Sequence, residues 1–249
     1  MLGILVLDTA FPRIPGDVGA PHTFPFPVRH ATVRGAGVDA VVHTADRELL
    51  PLFVAAARDL QAQGCVAIAT TCGFLAAWQD DLSAALDVPI LTSALFQWPM
   101  VQRLLPRGRR AGILTYSAEA LAPALLRAAQ IPVDTPVAGM PPTGYFARTI
   151  RNGASTLDTA RMRDEVVRAA QELVANHPDT GALVLECANM PPYAQSVAQA
   201  VGRPVFDAVD LITWFHGAVS RGHDHGTGSG RAGDGTIERP PRPWTSVPP

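Results

Sequence analysis

Apolar runs alternate with amphipathic stretches along most of the chain. Residues 2–7 (Leu-Gly-Ile-Leu-Val-Leu) form a continuous apolar run of the kind found in a buried strand. Asp46 to Gln63 carries a helical pattern with a capping-type start and Gly64 as its stop. The run from Cys65 to Cys72 reads as a second strand, followed by a helix through about Leu86 and a short strand at Val88-Pro-Ile-Leu. From Leu95 a helix runs to about Leu105, a strand covers 111–115, and a helix is expected from Ala118 to Ala129. Leu157 to Asn176 is a strong amphipathic helix, with Leu157, Met162, Val166, Val167 and Leu173 on or near one face. A strand then leads to Cys187. Pro191-Pro-Tyr opens a helix to about Val201, Pro204-Val-Phe is a short strand, and Ala208 to Val219 a final helix. Strands alternating with helices throughout predict α/β layers around parallel sheets.

Two interruptions stand out. The segment from Phe11 to Pro27 is dense in proline and glycine, and a long loop of this kind in a compact domain is more often functional than idle. From Arg221 onward the apolar periodicity vanishes and glycine and proline dominate, which predicts a disordered tail over 221–249. His223-Asp-His225 lies in that tail without a third metal ligand nearby.

The pattern also repeats. Leu2-Gly-Ile-Leu-Val-Leu-Asp8 is echoed by Ala111-Gly-Ile-Leu-Thr-Tyr-Ser117, and each opening strand is followed some seventy residues later by an apolar run ending in a cysteine, Cys72 or Cys187. Each half thus offers one opening strand with a polar end and one cysteine strand. In open α/β sheets the carboxyl ends of strands are where ligands bind.

Composition narrows the chemistry. The 20 basic residues are all arginine, which excludes a self-contained pyridoxal-phosphate or P-loop site, since both need a lysine. A net charge of −2 and an aromatic content of 6% give no pull toward nucleic acid or an anionic membrane surface. No apolar stretch reaches the length of a membrane span, and the amino terminus lacks a basic n-region. Three cysteines do not suggest a disulfide framework, so a reduced, cytoplasmic protein is expected. The expected partner is a small-molecule substrate, with no cofactor and no metal; a homo-oligomer is left open.

A free cysteine packs like a small hydrophobe, and Cys65, at the start of its strand, reads that way. Cys72 and Cys187 sit instead at strand ends just before helical segments, whose free N–H groups favour a thiolate. Strand alternation puts Glu186 on the face opposite Cys187 unless the turn undoes it. Two thiols from two matching halves suit proton removal at a carbon next to a carboxylate, one acting as thiolate and the other as thiol. Backbone N–H groups and hydroxyls would stabilise the carbanion. By position Asp8, Thr9, Arg13, Thr71, Gly73, Phe74, Tyr116, Ser117, Ala188 and Asn189 are the substrate-binding candidates. Asp8 reads equally as a turn cap. Arg13, on the Pro/Gly loop, is the favoured arginine to pair with a substrate carboxylate.

The set Asp8-Thr9, Thr71-Cys72-Gly73, Ser117 and Glu186-Cys187-Ala-Asn189-Met-Pro-Pro resembles the cofactor-independent aspartate/glutamate racemase superfamily over roughly residues 1–218. The resemblance implies two pseudo-symmetric Rossmann-like lobes with parallel sheets facing a central cleft, and Cys72 and Cys187 as the two acid/base residues. Residues 1–95 plus 204–220 would form the Cys72 lobe and 96–203 the Cys187 lobe. The chain departs from amino-acid racemases of this group, which carry Asn-Thr after the first cysteine and Thr-His or similar after the second. Gly73-Phe74 and Ala188-Asn189 stand there instead and count against free aspartate or glutamate as substrate. The leading expectation is a racemase or epimerase of an amino acid or related carboxylate or carbonyl compound. The alternatives are a maleate-type cis–trans isomerase or a lyase with a cysteine nucleophile, and a non-catalytic small-molecule binding module.

Overall fold

The computed structural model describes residues 1–222. The expected disordered tail and the His223-Asp-His225 pair therefore lie outside the described residues, apart from the first two positions of the tail. Two four-stranded parallel sheets, flanked by helices, make up the fold. The first is built from β1 (Leu2–Leu7), β2 (Val28–Val33), β3 (Ala67–Thr70) and β4 (Ile90–Leu91), in the order β2-β1-β3-β4. The second uses β5 (Arg110–Thr115), β6 (Val137–Gly139), β7 (Thr180–Leu185) and β8 (Val205–Phe206), in the order β6-β5-β7-β8. The orders correspond strand for strand. Each opening strand is central, and each strand that leads to a cysteine lies beside it.

The repeated Gly-Ile-Leu has a packing cause. Helix α1 (Leu50–Ala62) covers the first sheet, and a Cβ on Gly3 of β1 would meet Leu60 Cδ1 at 2.9 Å. Helix α6 (Thr159–Asn176) covers the second, and a Cβ on Gly112 of β5 would meet Leu173 Cδ2 at 2.9 Å. In each half a fully buried leucine fills the space that a side chain on the strand would need. Full burial of one such leucine contributes about 1.5–3 kcal/mol. The caps obey the expected chemistry: Asp46 accepts from Glu48 N–H ahead of α1, and Asp158 accepts from Arg161 N–H ahead of α6.

The remaining helices are α2 (Gln79–Ala84), α3 (Trp98–Leu104), α4 (Pro123–Ala128), α5 (Tyr145–Asn152), α7 (Ala194–Val201) and α8 (Ala208–Val219). Several expectations need correction. The helix expected from Ala118 starts only at Pro123, because residues 118–122 turn: Ser117 Oγ accepts from Ala120 N–H, and Pro123 takes the first helical turn. The half-exposed edge strand β2 and the short elements β6 and α5 were not expected, since none carries a sustained apolar period. The segment 204–220 divides in two. Val205–Phe206 pairs with β7 and so completes the second sheet, whereas α8 packs its Ala208 and Ile212 with Leu2, Ile4, Ala67 and Ala69 of the first. The chain crosses back at Asp207, whose carbonyl accepts from buried Gln97 Nε2 and whose carboxylate caps α8.

Among the described residues no helix is long and apolar enough to cross a membrane. The Pro/Gly segment is a loop, as expected, but its middle is buried: Asp17 and Val18 are 3% and 0% exposed.

Candidate active site

Both cysteine strands stop short of their thiols. β3 ends at Thr70, and Cys72 is extended (φ −142°) ahead of a 3-10 turn over Gly73–Trp78. β7 ends at Leu185, and a turn over residues 186–190 precedes a second 3-10 segment at Pro191–Tyr193. The two turns match: Leu75 N–H donates to the Cys72 carbonyl and Met190 N–H to the Cys187 carbonyl. Parallel pairing of each strand with its central neighbour brings both turns to one end of the molecule, where the lobes face each other.

There the two thiols line a single pocket. Of the substrate-binding candidates, Thr71, Gly73, Phe74, Tyr116, Ala188 and Asn189 line it. Four further positions escaped sequence reading. Leu7, Val38, Val42 and Ile150 close the wall with apolar side chains, two of them from the segment after β2 and one from α5. Glu186 also lines the pocket. Among the described residues no arginine or histidine does so. Both Cys72 and Cys187 are free and buried.

Glu186 is the correction to strand alternation. Because β7 has ended at Leu185, the turn brings its carboxyl toward both thiols. It is 1% exposed, and Thr115 Oγ1 donates to its Oε2 at 2.7 Å. Tyr116 N–H donates to the same oxygen at 3.4 Å. Burial pushes this carboxyl up to about 7, against the lowering effect of these bonds. Gly73 is required beneath it: a Cβ there would overlap Glu186 Oε1 and lie 2.8 Å from the Glu186 carbonyl oxygen.

The thiols are not depressed as the helix-terminus argument predicted. Burial, and then the Glu186 charge, push Cys72 up to about 12; hydrogen bonds from the Phe74 and Leu75 N–H groups only partly oppose this. Burial and Glu186 likewise raise Cys187 well above the ordinary thiol value, with Cys72 and Asp17 adding to the rise. Short 3-10 segments lack the aligned peptide dipoles of a long helix, so they do not offset desolvation.

The two sulfurs differ in their anchoring. Cys187 Sγ donates to Asn189 Oδ1 at 3.6 Å, and Asn189 Nδ2 donates to Asp17 Oδ2 at 2.7 Å. Asp17 is held in turn by Arg13 Nη1 at 3.0 Å, and Arg13 Nη2 donates to Thr9 Oγ1 at 2.8 Å. Thus Arg13 and Thr9 lie behind the pocket as supports and are not in its wall, and the guanidinium expected for a substrate carboxylate is already paired with Asp17. Asp17 was missed because nothing marks it among the turn residues of the Pro/Gly loop. Asp8 caps a turn, accepting from Gly35 N–H at 2.9 Å and Arg34 Nη1 at 3.4 Å, and stays outside the pocket. Ser117 lines the neighbouring hollow with His43, Met140 and Arg151, and Tyr116 is shared between that hollow and the thiol pocket. Among the described residues no cluster of His, Cys, Asp and Glu is placed to hold a metal ion.

Two matching parallel-sheet lobes, with one thiol from each in a common pocket, define the class of two-lobed α/β proteins to which aspartate, glutamate and hydantoin racemases belong. The Asp/Glu/Hydantoin racemase family model matches residues 42–215, and the chain belongs to this family of enzymes. It is 30% identical over 230 residues to dimethylsulfoniopropionate lyase 7 of Emiliania huxleyi (strain CCMP1516), covering 88% of this chain and 67% of that one. It is 27% identical over 223 residues to a dimethylsulfoniopropionate lyase of Durusdinium sp. clade D, covering 86% of this chain and 73% of that one. In fold it is similar to allantoin racemase from Pseudomonas fluorescens, with a TM-score of 0.58, 15% identity, and coverage of 94% and 100% of the two chains.

Proposed function

We propose that the protein is a lyase that removes a proton next to a carboxylate and expels a leaving group from the adjacent carbon, with a dimethylsulfonio-propionate as the first substrate to test. The observation that carries this reading is the inequivalence of the two thiols. A racemase needs two proton carriers that exchange roles from opposite faces. Here Cys187 is tethered as a donor to an amide clamped by Asp17, while Cys72 lines the pocket and, among the described residues, its sulfur takes bonds from the Phe74 and Leu75 N–H groups alone. One-base elimination suits such a pair.

The pocket chemistry supports the same reading. Its apolar wall of Leu7, Val38, Val42, Phe74 and Ile150 suits S-methyl groups, and the ring of Tyr116 offers a face to a sulfonium. A buried negative charge shared between Glu186 and the thiols complements a cation. The Thr71 hydroxyl accepts from Leu7 N–H at 3.3 Å, which leaves its own O–H to donate to a substrate carboxylate. In the proposed step the Cys72 thiolate takes the proton from C2. The C–H electron pair becomes the new double bond, and the C–S bond breaks toward sulfur. Dimethyl sulfide and acrylate leave, with one proton passing to solvent. The relatives that share about two thirds or more of their length with this chain carry the name of that reaction.

The test is proton NMR in D2O together with headspace detection of dimethyl sulfide, with aspartate, glutamate and hydantoins as competing substrates. Acrylate and dimethyl sulfide from the sulfonium substrate are expected. Exchange of an α-proton in an amino acid or hydantoin, without elimination, would replace the lyase by the racemase.

A further inference from the structure

Among the described residues Glu186 is the only carboxyl group in the pocket wall, and the elimination as written gives it no part in moving a proton. Its surroundings are unusual. It is buried and has no ion pair among the described residues; its partners are Thr115 Oγ1, Tyr116 N–H and Gly73 N–H. Oε2 takes the bonds from β5, while Oε1 lies over Gly73, the residue that follows Cys72. A buried carboxylate without a counter-cation is costly, and a fold retains one where the charge has a use.

The groups that face it are few. From the turn after β3 come Cys72 and Gly73, from the end of β5 Thr115 and Tyr116, and from its own turn Cys187. Asp17 reaches this cluster only through Asn189 and Cys187. The pocket wall therefore carries two thiols and one carboxyl and, among the described residues, no cationic side chain.

We propose that Glu186, whose carboxyl shares the pocket wall with Cys72 and rests against the next residue, Gly73, accepts the Cys72 thiol proton and so generates the thiolate base inside the pocket. This rests on the lyase reading, to which it supplies the base. In the step the S–H bond of Cys72 breaks, an O–H bond forms at Glu186, and the negative charge passes from carboxylate to sulfur with no net change in the pocket. Protonating Glu186 removes the charge that, after burial, does most to raise the Cys72 thiol, so the two groups titrate as a pair. A cationic substrate reinforces the transfer by stabilising charge on sulfur. After Cys72 has taken the C2 proton, the Glu186 proton leaves to solvent and restores the carboxylate. Glu186 is thus a positioning residue for charge, acting through Cys72.

Glu186→Gln keeps the shape and the Thr115 bond and removes the charge. Two readouts are needed on the full chain: the pH profile of iodoacetamide labelling at Cys72, followed by mass spectrometry, and the pH profile of elimination. Loss of the neighbouring charge is expected to move the Cys72 labelling midpoint down by about one pH unit or more. At the same time kcat is expected to fall about 100-fold with little change in KM, and Glu186→Asp to recover part of it. A merely structural role would not make the thiol easier to ionise while slowing turnover. Thr115→Val, which leaves the carboxyl in place, serves if Glu186→Gln does not fold; it is expected to shift the acid limb of the elimination profile upward. An unchanged labelling midpoint, or turnover retained within tenfold in Glu186→Gln, overturns the proposal. If the wild type eliminates nothing, the lyase reading falls, and the labelling shift still decides the Glu186–Cys72 coupling by itself.

Discussion

Asn189 Nδ2 donates to Asp17 Oδ2 at 2.7 Å across 172 residues of sequence, and this bond sets which face of the amide meets Cys187. Asp17 is 3% exposed on the Pro/Gly loop, and its carboxylate is shared between Arg13, Gly19 N–H and Asn189. Asp17→Asn makes the partner of Asn189 neutral and leaves Arg13 without its counter-charge. A hydrogen bond to a charged group is worth about 1.5–3 kcal/mol, so kcat/KM is expected to fall about 10- to 100-fold. Asp17→Ala is expected to cost about 3–5 kcal/mol of stability as well, because it strands a half-buried guanidinium. Steady-state kinetics and urea melts on the two variants separate the effects; wild-type behaviour of both would remove Asp17 from the site.

The two thiols are expected to respond unequally to substitution. Cys72→Ser should lower elimination about 10³-fold or more, the usual scale for losing a general base. Cys187→Ser keeps a hydroxyl that can still donate to Asn189, and should cost about tenfold. Equal and complete loss in both variants would favour two exchangeable proton carriers, and hence a racemase.

Gly73→Ala tests the carboxyl's seat. The added methyl meets Glu186 Oε1 and the Glu186 carbonyl oxygen, one of them rigid backbone, so the turn or the carboxyl must shift. Overpacking of this kind costs about 1–3 kcal/mol. Thermal unfolding should show the loss, and elimination should fall with it. Full activity at normal stability would mean that the Glu186–Gly73 contact is not needed.

Stability is expected to depend on pH through the same carboxyl. The fold raises Glu186 to about 7, above the ordinary carboxylate range. The folded state therefore binds the proton more tightly than the unfolded one. Its contribution is fully present below about pH 4 and is lost as pH rises through 7. The loss is about 3 kcal/mol at most. Asp207, raised to about 6 by burial and by Asp210, adds in the same direction. Urea melts from pH 5 to pH 8 should show a falling slope that Glu186→Gln reduces in part. An unchanged slope in that variant would contradict the raised carboxyl.

The twin leucines give a matched pair. Leu60→Ala and Leu173→Ala empty equivalent space over Gly3 and Gly112, and each should cost about 2–5 kcal/mol. Guanidinium melts in which only one of them matters would argue that the two lobes are unequally packed.

Much of this was written along the chain. Continuous apolar runs located β1, β3, β5 and β7, which are buried on both faces, and period-3.6 patterning located α1 and α6, which bury one face. The repeated Gly-Ile-Leu and the two strand-terminal cysteines announced the paired lobes and the common thiol pocket. The edge strand β2 and the eight-residue α5 stayed silent, since half-exposed and short elements need few apolar positions.

Tertiary structure decided the rest. Asp17 and Asn189 meet, Glu186 slips over Gly73 once β7 has ended, and Arg13 turns to Asp17 and away from the pocket. The thiols rise where helix-terminus reasoning expected them to fall. Local sequence determines which way a strand or helix must face, because that follows from its own periodicity. Burial, charge pairing and pKa depend on groups brought together from distant segments, and those are set only when the two lobes close on each other.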